Sequence, residues 1–594
     1  MRRRTVALAV VAGAVAASPA VATAAPRARP FAGGTTDSAE SALRGLGGYE
    51  REAVDRVLRA LAARVDPAPG GKRIRTVRVV NLDVFGPSDG PLRWLDALHR
   101  TSRPEAVRRE VLLRPGDVWN AERAAESERR LRDPLRTSLA VVLPLATDSG
   151  GTVDVLVVTW DVWSLRLNSD FEVQDGALTS LLLRPAESNF LGLRKQVGAL
   201  FEMDQGQFTA GPVYADPNLA GTHITLDLEF GASFSRATSQ FEGTVASLAI
   251  GSPLWSLDRQ WGWRVVARRA NTVQRTFAGD DLARYDAPST PEDDRLPRAF
   301  RLATIDIDAV ALHRSGAAYK HDIEFGHQLR AASPKLLDGF AASPEARDDF
   351  IRDILPEDEV TSSLVGRYRL SEARFVELYD VRSYDLAEDL QLGPDLAAEI
   401  AVGLRPIGSD RGFVRIGASA GWTERLGADG YARARASVAQ RRTASGVVDR
   451  DYRAAAEVIT PSAWRRVRAV LRADARAIRD STRGEFLAAG GDTGLRGYPV
   501  AAFEGDTRAV VTVELRTLHW RLGFARVGGT VFWDAGGAAT RPDRVTAFPV
   551  HHDVGIGARI VAPQTGPDAL RIDWAVPLDG GLPGRLSLGF GEVF

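Results

Sequence analysis

Residues 161 to 594 hold no run of about eighteen apolar side chains, the length a membrane-crossing helix needs, yet apolar residues recur there at every second position. Ile305, Ile307, Ala309 and Ala311 share one face, opposite Thr304, Asp306 and Asp308. Leu396, Ala398, Ile400, Val402 and Leu404 repeat the pattern, and Val511, Val513 and Leu515 alternate with Thr512, Glu514 and Arg516. Gly, Asp, Asn and Pro punctuate the segments. A period of two is the signature of strands with one apolar and one polar face. In a soluble sandwich the apolar face points inward; in a transmembrane barrel it points at lipid. Periodicity alone does not choose between them.

The two chain ends weigh on that choice. Arg2, Arg3 and Arg4 are followed by apolar or glycine residues from Val6 to Ala17 and by the small-residue run Ala22-Thr23-Ala24. This reads as a secretory signal peptide over 1–24, too short in its apolar part to span a bilayer. At the other end, LSLGFGEVF places Leu586, Leu588, Phe590 and Phe594 on one face, with Gly591 three positions before the last residue. Equal numbers of basic and acidic residues, 76 of each, argue against a basic nucleic-acid binder. The chain has no cysteine, so neither disulfides nor thiolate-bound zinc can staple it. The expectation is an antiparallel transmembrane barrel over 161–594, in a mainly β protein.

Ahead of the barrel, residues 25–71 read as a tether and an amphipathic helix. Val54, Val57, Leu58, Leu61 and Val65 recur at helical spacing between Glu50 and Val65, and Pro67 to Gly71 stop it. The helix is expected to pack on the following domain, with a plug for the barrel lumen as the alternative. Residues 72–160 read as a small α+β unit of order β-α-α-β-β. A strand is expected through Ile74 to Leu82, a short helix around Leu92 to Leu98 and another from Glu105 to Leu113. A turn at Pro115-Gly116-Asp117 and a helix from Ala121 to Leu131 capped by Asn120 come next. Strands Leu139–Leu143 and Val153–Val158 close the unit. The polar stretches Gly279 to Pro297 and Ser333 to Glu359 are expected as long loops, the second with a short helix at Pro344 to Ile354.

Two motifs stand out in the second half. GGDTGLRGYPVAAFEGD, residues 490 to 506, carries Leu495, Arg496, Gly497 and Tyr498. Phe532-Trp533-Asp534-Ala535-Gly536 follows, with Asp534 38 residues after Arg496. A guanidinium shut inside a narrow polar lumen needs a carboxylate for its forked donors. These motifs resemble those of the Omp85 superfamily of outer-membrane proteins, in which an inward-folded extracellular loop sets its arginine against an aspartate of the wall. VRREVLLRPGDVWNAERAAESERRLRD followed by GGTVDVLVVTWD resembles the POTRA domain that precedes such barrels. NFLGLRKQVG and YADPNLAGT are similar to the family's first barrel strands, and residues 551 to 578 to its last hairpins. The C-terminal LSLGFGEVF is similar to the signal, here Phe590, Gly591 and Phe594, by which outer-membrane barrels are recognised for insertion. The resemblance implies sixteen barrel strands, one POTRA domain in the periplasm and a Gram-negative outer-membrane location. It also implies an activity that inserts or moves polypeptides, with Arg496 seated on Asp534. Its partners would be outer-membrane lipid, unfolded outer-membrane or secreted polypeptides and accessory assembly proteins. A secretion pore with the N-terminal helix as plug, or a porin-like structural barrel, are the other readings.

Enzymatic signals are weak. Gly417-Ala418-Ser419-Ala420-Gly421 fits a nucleophile elbow, but that motif needs a strand, a sharp turn and a helix. Here Val414, Ile416, Ala418, Ala420 and Trp422 carry a period-two pattern straight through it. The eight histidines show no metal-ligand spacing and no phosphate-binding loop is present. No enzyme activity, cofactor or metal is expected.

Overall fold

The computed structural model describes residues 46–590, except 47, 86–98, 134–135, 175–176, 279–280, 465, 482–486, 500–501, 541–547, 564–568, 580 and 582. The segments read as signal peptide and most of the tether, the helix expected at Leu92–Leu98, and Gly591 and Phe594 of the C-terminal motif lie outside the described residues.

Helix α1 (Gly48–Ala60) is followed by β1 (Arg73–Leu82), α2 (Pro104–Arg108), α3 (Ala121–Leu131), β2 (Thr137–Ala146) and β3 (Thr152–Asp161). The three strands form one sheet in the order β1-β3-β2, with β1 parallel and β2 antiparallel to β3. Both faces are covered, which explains why β2 and β3 are apolar at almost every position instead of alternating. On one face Val107, Val111, Leu113, Ala124 and Leu131 pack against Ala140, Val142, Val155 and Val157. On the other, Ala53, Val54 and Val57 of α1 pack against Leu139, Val141, Leu143, Leu156 and Val158. The amphipathic helix thus lies on this sheet. It ends at Ala60, short of the expected Val65, which instead bridges to Leu145 on β2. Helix α2 is likewise shorter than the sequence suggests: Glu110 and Val111 N–H donate to the carbonyls three residues back (3.1 and 3.2 Å), and Leu112 N–H then donates to Ser127 Oγ (2.9 Å). Gly116 takes a φ of +91° in the turn between the helices, and Asn120 caps α3 by accepting from Arg123 N–H at 2.9 Å.

From Leu165 to Phe590, 22 strand segments follow one another antiparallel in an order that returns to its start, as in a barrel. Glu359–Glu372 and Arg374–Tyr379 both pair with Ala387–Gly403, and Thr507–Thr517 and Trp520–Leu522 both pair with Ala525–Ala539. Each couple is one stave with a break, so the segments make 20 staves. That differs from the sixteen implied by the resemblance. Residue-by-residue ladders link every pair of neighbouring staves except the first and last, Leu165–Gln174 and Arg585–Phe590, for which the circular order alone records adjacency among the described residues.

Exposure decides which way the apolar faces point. Ile305, Ile323, Phe325, Ile400, Ile416, Val513, Leu515, Val531 and Ile556 are all more than a third exposed, Phe325 at 64%. Their alternating neighbours Thr512, Glu514 and Arg516 are buried. A soluble sandwich would show the reverse. A continuous exposed apolar belt around a polar interior is what a bilayer demands of a barrel. Among the described residues no helix is long and apolar enough to cross a membrane, which says nothing of strands.

The two mouths differ. Short turns at one end meet the three-stranded unit. Arg132 reaches Glu377 (3.0 Å) and Asp389 (3.2 Å), Glu126 accepts from Leu257 N–H (2.7 Å), Glu110 accepts from Asn218 Nδ2 (2.7 Å), and Arg103 N–H donates to Gly192 (2.8 Å). Burial at this contact holds the Glu126 carboxyl above its usual range. At the opposite end, the two expected long loops fold on each other. Helix α4 (Pro344–Asp353), capped by Ser343, buries Ala346 and Phe350 against Ala287 and Leu296.

Candidate functional site

Loop residues 490–506 connect Val467–Arg479 to Thr507–Thr517 at the mouth remote from the three-stranded unit. The short pair Leu487–Ala489 and Phe503–Gly505 forms the base of an inward excursion. Its tip turns through left-handed backbone at Gly494 (φ +90°) and Leu495 (φ +68°), closed by Tyr498 N–H donating to Leu495 at 3.0 Å. Leu495 and Tyr498 are buried with Ala489, Val510 and Ala538, so an apolar patch holds the tip to the wall on either side of Arg496.

Arg496 is 1% exposed, the largest fully buried side chain among the described residues. Its Nε and Nη2 donate to the two oxygens of Asp534 at 2.8 and 2.9 Å, a forked pair. Nη1 donates to Glu514 (2.8 Å) and Asp573 (3.1 Å). Four of the five guanidinium donors are thereby placed, and the guanidinium carbon lies 3.3 Å from the Phe532 ring centroid. Thr512 Oγ1 donates to Asp534 at 2.7 Å from the neighbouring strand, where the two residues are in register.

The pair read from sequence is therefore the centre of a larger cluster. Glu514 also accepts from Arg516 (2.6 Å), and Asp573 accepts from Arg559 (2.5 Å) and Arg571 (3.0 Å). Asp553, opposite Asp534 in register, accepts from Gly497 N–H at 3.0 Å. Four carboxyl groups stand among four guanidiniums in one network, which is costly to open one residue at a time. Glu514, Asp553 and Asp573 were not among the residues singled out from sequence. Glu514 stood on the polar side of an alternating strand, which is a signal for the lumen; its meeting with Arg496 depends on register, which alternation does not encode.

Two glycines are needed by close approach. A Cβ on Gly497 would sit 2.7 Å from Asp553 Cβ and 3.0 Å from Pro577 N, so the loop backbone lies flush against the wall. Gly536, with φ +154°, would set a Cβ 2.2 Å from the Ala509 carbonyl oxygen. The Tyr498 hydroxyl lies within donating reach of the His552 carbonyl (3.1 Å) and of Asp579 (3.2 Å), tying the loop to the last hairpins. Phe590 lies in the last strand opposite Leu570.

On another wall the lumen opens into a cavity of about 690 Å³ lined by Arg264, Arg314, Asp322, Glu324, Arg367 and Arg415 among others. Arg367 bridges Glu324 (3.0 Å) and Glu399 (2.7 Å) across neighbouring strands. The Gly417–Gly421 segment lies within the uninterrupted strand Phe413–Leu426, not at a turn into a helix. Among the described residues no group of three or more His, Asp or Glu side chains is placed to hold a metal.

No protein-family model matches the chain, and no curated protein does. Among solved structures, BamA from Haemophilus ducreyi lacking POTRA domains 1–3 aligns over 88% of this chain and 83% of its own at 11% identity, TM-score 0.33. CdiB from Escherichia coli aligns over 88% and 76% at 13% identity, TM-score 0.43. CdiB from Acinetobacter baumannii aligns over 88% and 73% at 10% identity, TM-score 0.38. Similarity at this level indicates neither activity nor partner.

Proposed function

We propose that this chain is an Omp85-type outer-membrane protein that assembles or moves other polypeptides, with residues 72–160 acting as its single periplasmic POTRA domain. The observation that carries this reading is the seating of Arg496. A loop from one mouth is drawn into the lumen and locked by Asp534, Glu514 and Asp573 on three separate strands of the wall. Here the anchor braces the last staves, which lie beside the junction of Leu165–Gln174 with Arg585–Phe590. Among the described residues no residue-by-residue ladder joins these two strands. A weakly paired closing junction makes a seam that a client strand can compete for by edge pairing. No bond is made or broken; the work is binding and exchange of strand partners.

The position of the three-stranded unit at the mouth opposite the long loops suits a receiving module on the periplasmic side. Helix α1 rests on that unit through Ala53, Val54 and Val57, which favours a packing role for it over a lumen plug, and so favours assembly over a plugged secretion pore. The test is reconstitution in vesicles with two readouts. An assembly factor gives a closed pore and speeds insertion of an unfolded barrel protein. A large steady conductance without insertion indicates a porin, and a pore opened by deleting residues 25–66 indicates a secretion transporter.

A further inference from the structure

We propose that β1, not β2, is the sheet edge at which the three-stranded unit takes up an extended client segment; this rests on the assembly reading above. The sheet has two outer edges, and they are not equivalent. On β2, Asp66 N–H donates to the Pro144 carbonyl and Ala146 N–H donates to the Arg64 carbonyl, both at 2.9 Å, so a piece of the chain's own N-terminal segment already lies along this edge. Pro144 has no N–H to offer there. Val142, the next residue with its backbone turned outward, has its N–H taken by Glu128 Oε1 at 2.8 Å. The outer edge of β2 is closed from Val142 to Ala146.

These bonds also fix the direction of the groups on β1. Pro144 and Ala146 face outward, so Val141, Leu143 and Leu145 bond inward to Val158, Leu156 and Asp154. Val153, Val155, Val157 and Thr159 therefore turn their backbone groups to β1. In a parallel ladder a residue bonds the two neighbours of its partner. With Val77 paired to Val155 and Val79 to Val157, Arg78, Val80 and Leu82 bond inward while Val77, Val79 and Asn81 face the open edge. Ile74, before the bulge, faces outward too, and it is already occupied by Asp117 and Gly116 at 2.8 Å. Among the described residues no backbone partner meets Val77, Val79 or Asn81 on that side.

The edge therefore presents three consecutive donor–acceptor pairs, flanked by two apolar cores. Val77 and Val79 pack toward α2 and α3, while Val80 and Leu82 pack toward α1. Exposed Arg78 adds a positive charge on the α1 side. The chemistry fits an extended strand with apolar residues at alternate positions and an acidic or neutral residue beside Arg78, as in an unfolded outer-membrane strand.

The absence of cysteine leaves every position free for a site-specific probe. A photo-crosslinking side chain is placed at Arg78 on β1 or at Ala146 on β2, and the purified protein is offered a peptide copying residues 395–404, DLAAEIAVGL. Capture at position 78 and not at 146 is expected. Val79→Pro, which removes an outward donor, should weaken capture by about fivefold, the loss of one main-chain hydrogen bond. Arg78→Glu, an exposed change that spares the fold, is read on protein without the crosslinker by fluorescence anisotropy of the labelled peptide, and should weaken binding several-fold for this acidic peptide. Capture at 146, or equal capture at both, overturns the proposal, as does indifference to both substitutions. Insertion of an unfolded barrel protein is followed in the same samples. Insertion without capture at 78 sinks the β1 edge and leaves the assembly reading standing; capture at 78 without insertion supports the edge and counts against that reading.

Discussion

Replacing Arg496 by alanine leaves Asp534, Glu514, Asp573 and Asp553 facing only Arg516, Arg559 and Arg571, with Asp534 and Glu514 both fully shielded from water. Removing one member of a buried ion pair typically costs about 3–5 kcal/mol, because the other charge stays buried without its partner. At about 1.4 kcal/mol per tenfold, that is two to three and a half orders of magnitude in the folding equilibrium. Asp534→Ala instead leaves the buried Nε and Nη2 of Arg496 without their acceptor and should cost a similar amount. In the double variant neither Arg496 nor Asp534 is left without the other, so the loss should fall short of the sum; Glu514 and Asp573 still face the vacated site, which holds the coupling to about 1–3 kcal/mol. Urea unfolding of the purified barrel in detergent, read by the gel shift between unheated and boiled protein, gives the four stabilities. Coupling below about 0.5 kcal/mol would mean that the two residues act independently, and the seating argument would fail.

Arg496→Lys should recover little of the loss, because a point charge cannot span three carboxylates held by different strands; the same unfolding assay reads it. Gly497→Ala should lift the loop from Asp553 and mimic part of the Arg496→Ala defect, visible as faster proteolysis of the loop in folded protein. Arg132→Ala should loosen the three-stranded unit from the strand pair carrying Glu377 and Asp389, measured as a broader distance distribution between spin labels on the unit and the rim. Phe325→Arg, on the outer face near mid-strand, should cost roughly 2–4 kcal/mol, the price of a cation in the apolar belt; an unchanged urea midpoint would contradict it.

What could be read from sequence follows from the range of the forces involved. Strand alternation, helix caps and glycine turns are local, and Asn120, Ser343 and Gly116 declare themselves through residues within a few positions. Arg496 and Asp534 were legible because each sits in a compact motif. Glu514 and Asp573 were not, because their relation to Arg496 is set by how far one strand slides past the next. The strand count was harder still. In Gly430–Thr443, GYARARASVAQRRT, alanine alternates with arginine, and alanine gives so little apolar contrast that the two faces are hard to separate by eye. The breaks at Ala373 and at Leu518–His519 interrupt staves without ending them. The β1 edge was invisible for a similar reason, since its opening depends on the residues that close β2.

The central claim is that apolar side chains of the staves face lipid while their neighbours face a polar lumen. A cysteine scan along Tyr319–Lys335, with a nitroxide attached at each position of the otherwise cysteine-free protein in lipid vesicles, tests it directly. Collision with oxygen, which concentrates in lipid, should dominate at Ile323, Phe325 and Leu329, and collision with a water-soluble nickel complex at Glu324 and Gln328. A scan in which nickel reaches both sets equally, or in which the period of two is absent, would contradict the account.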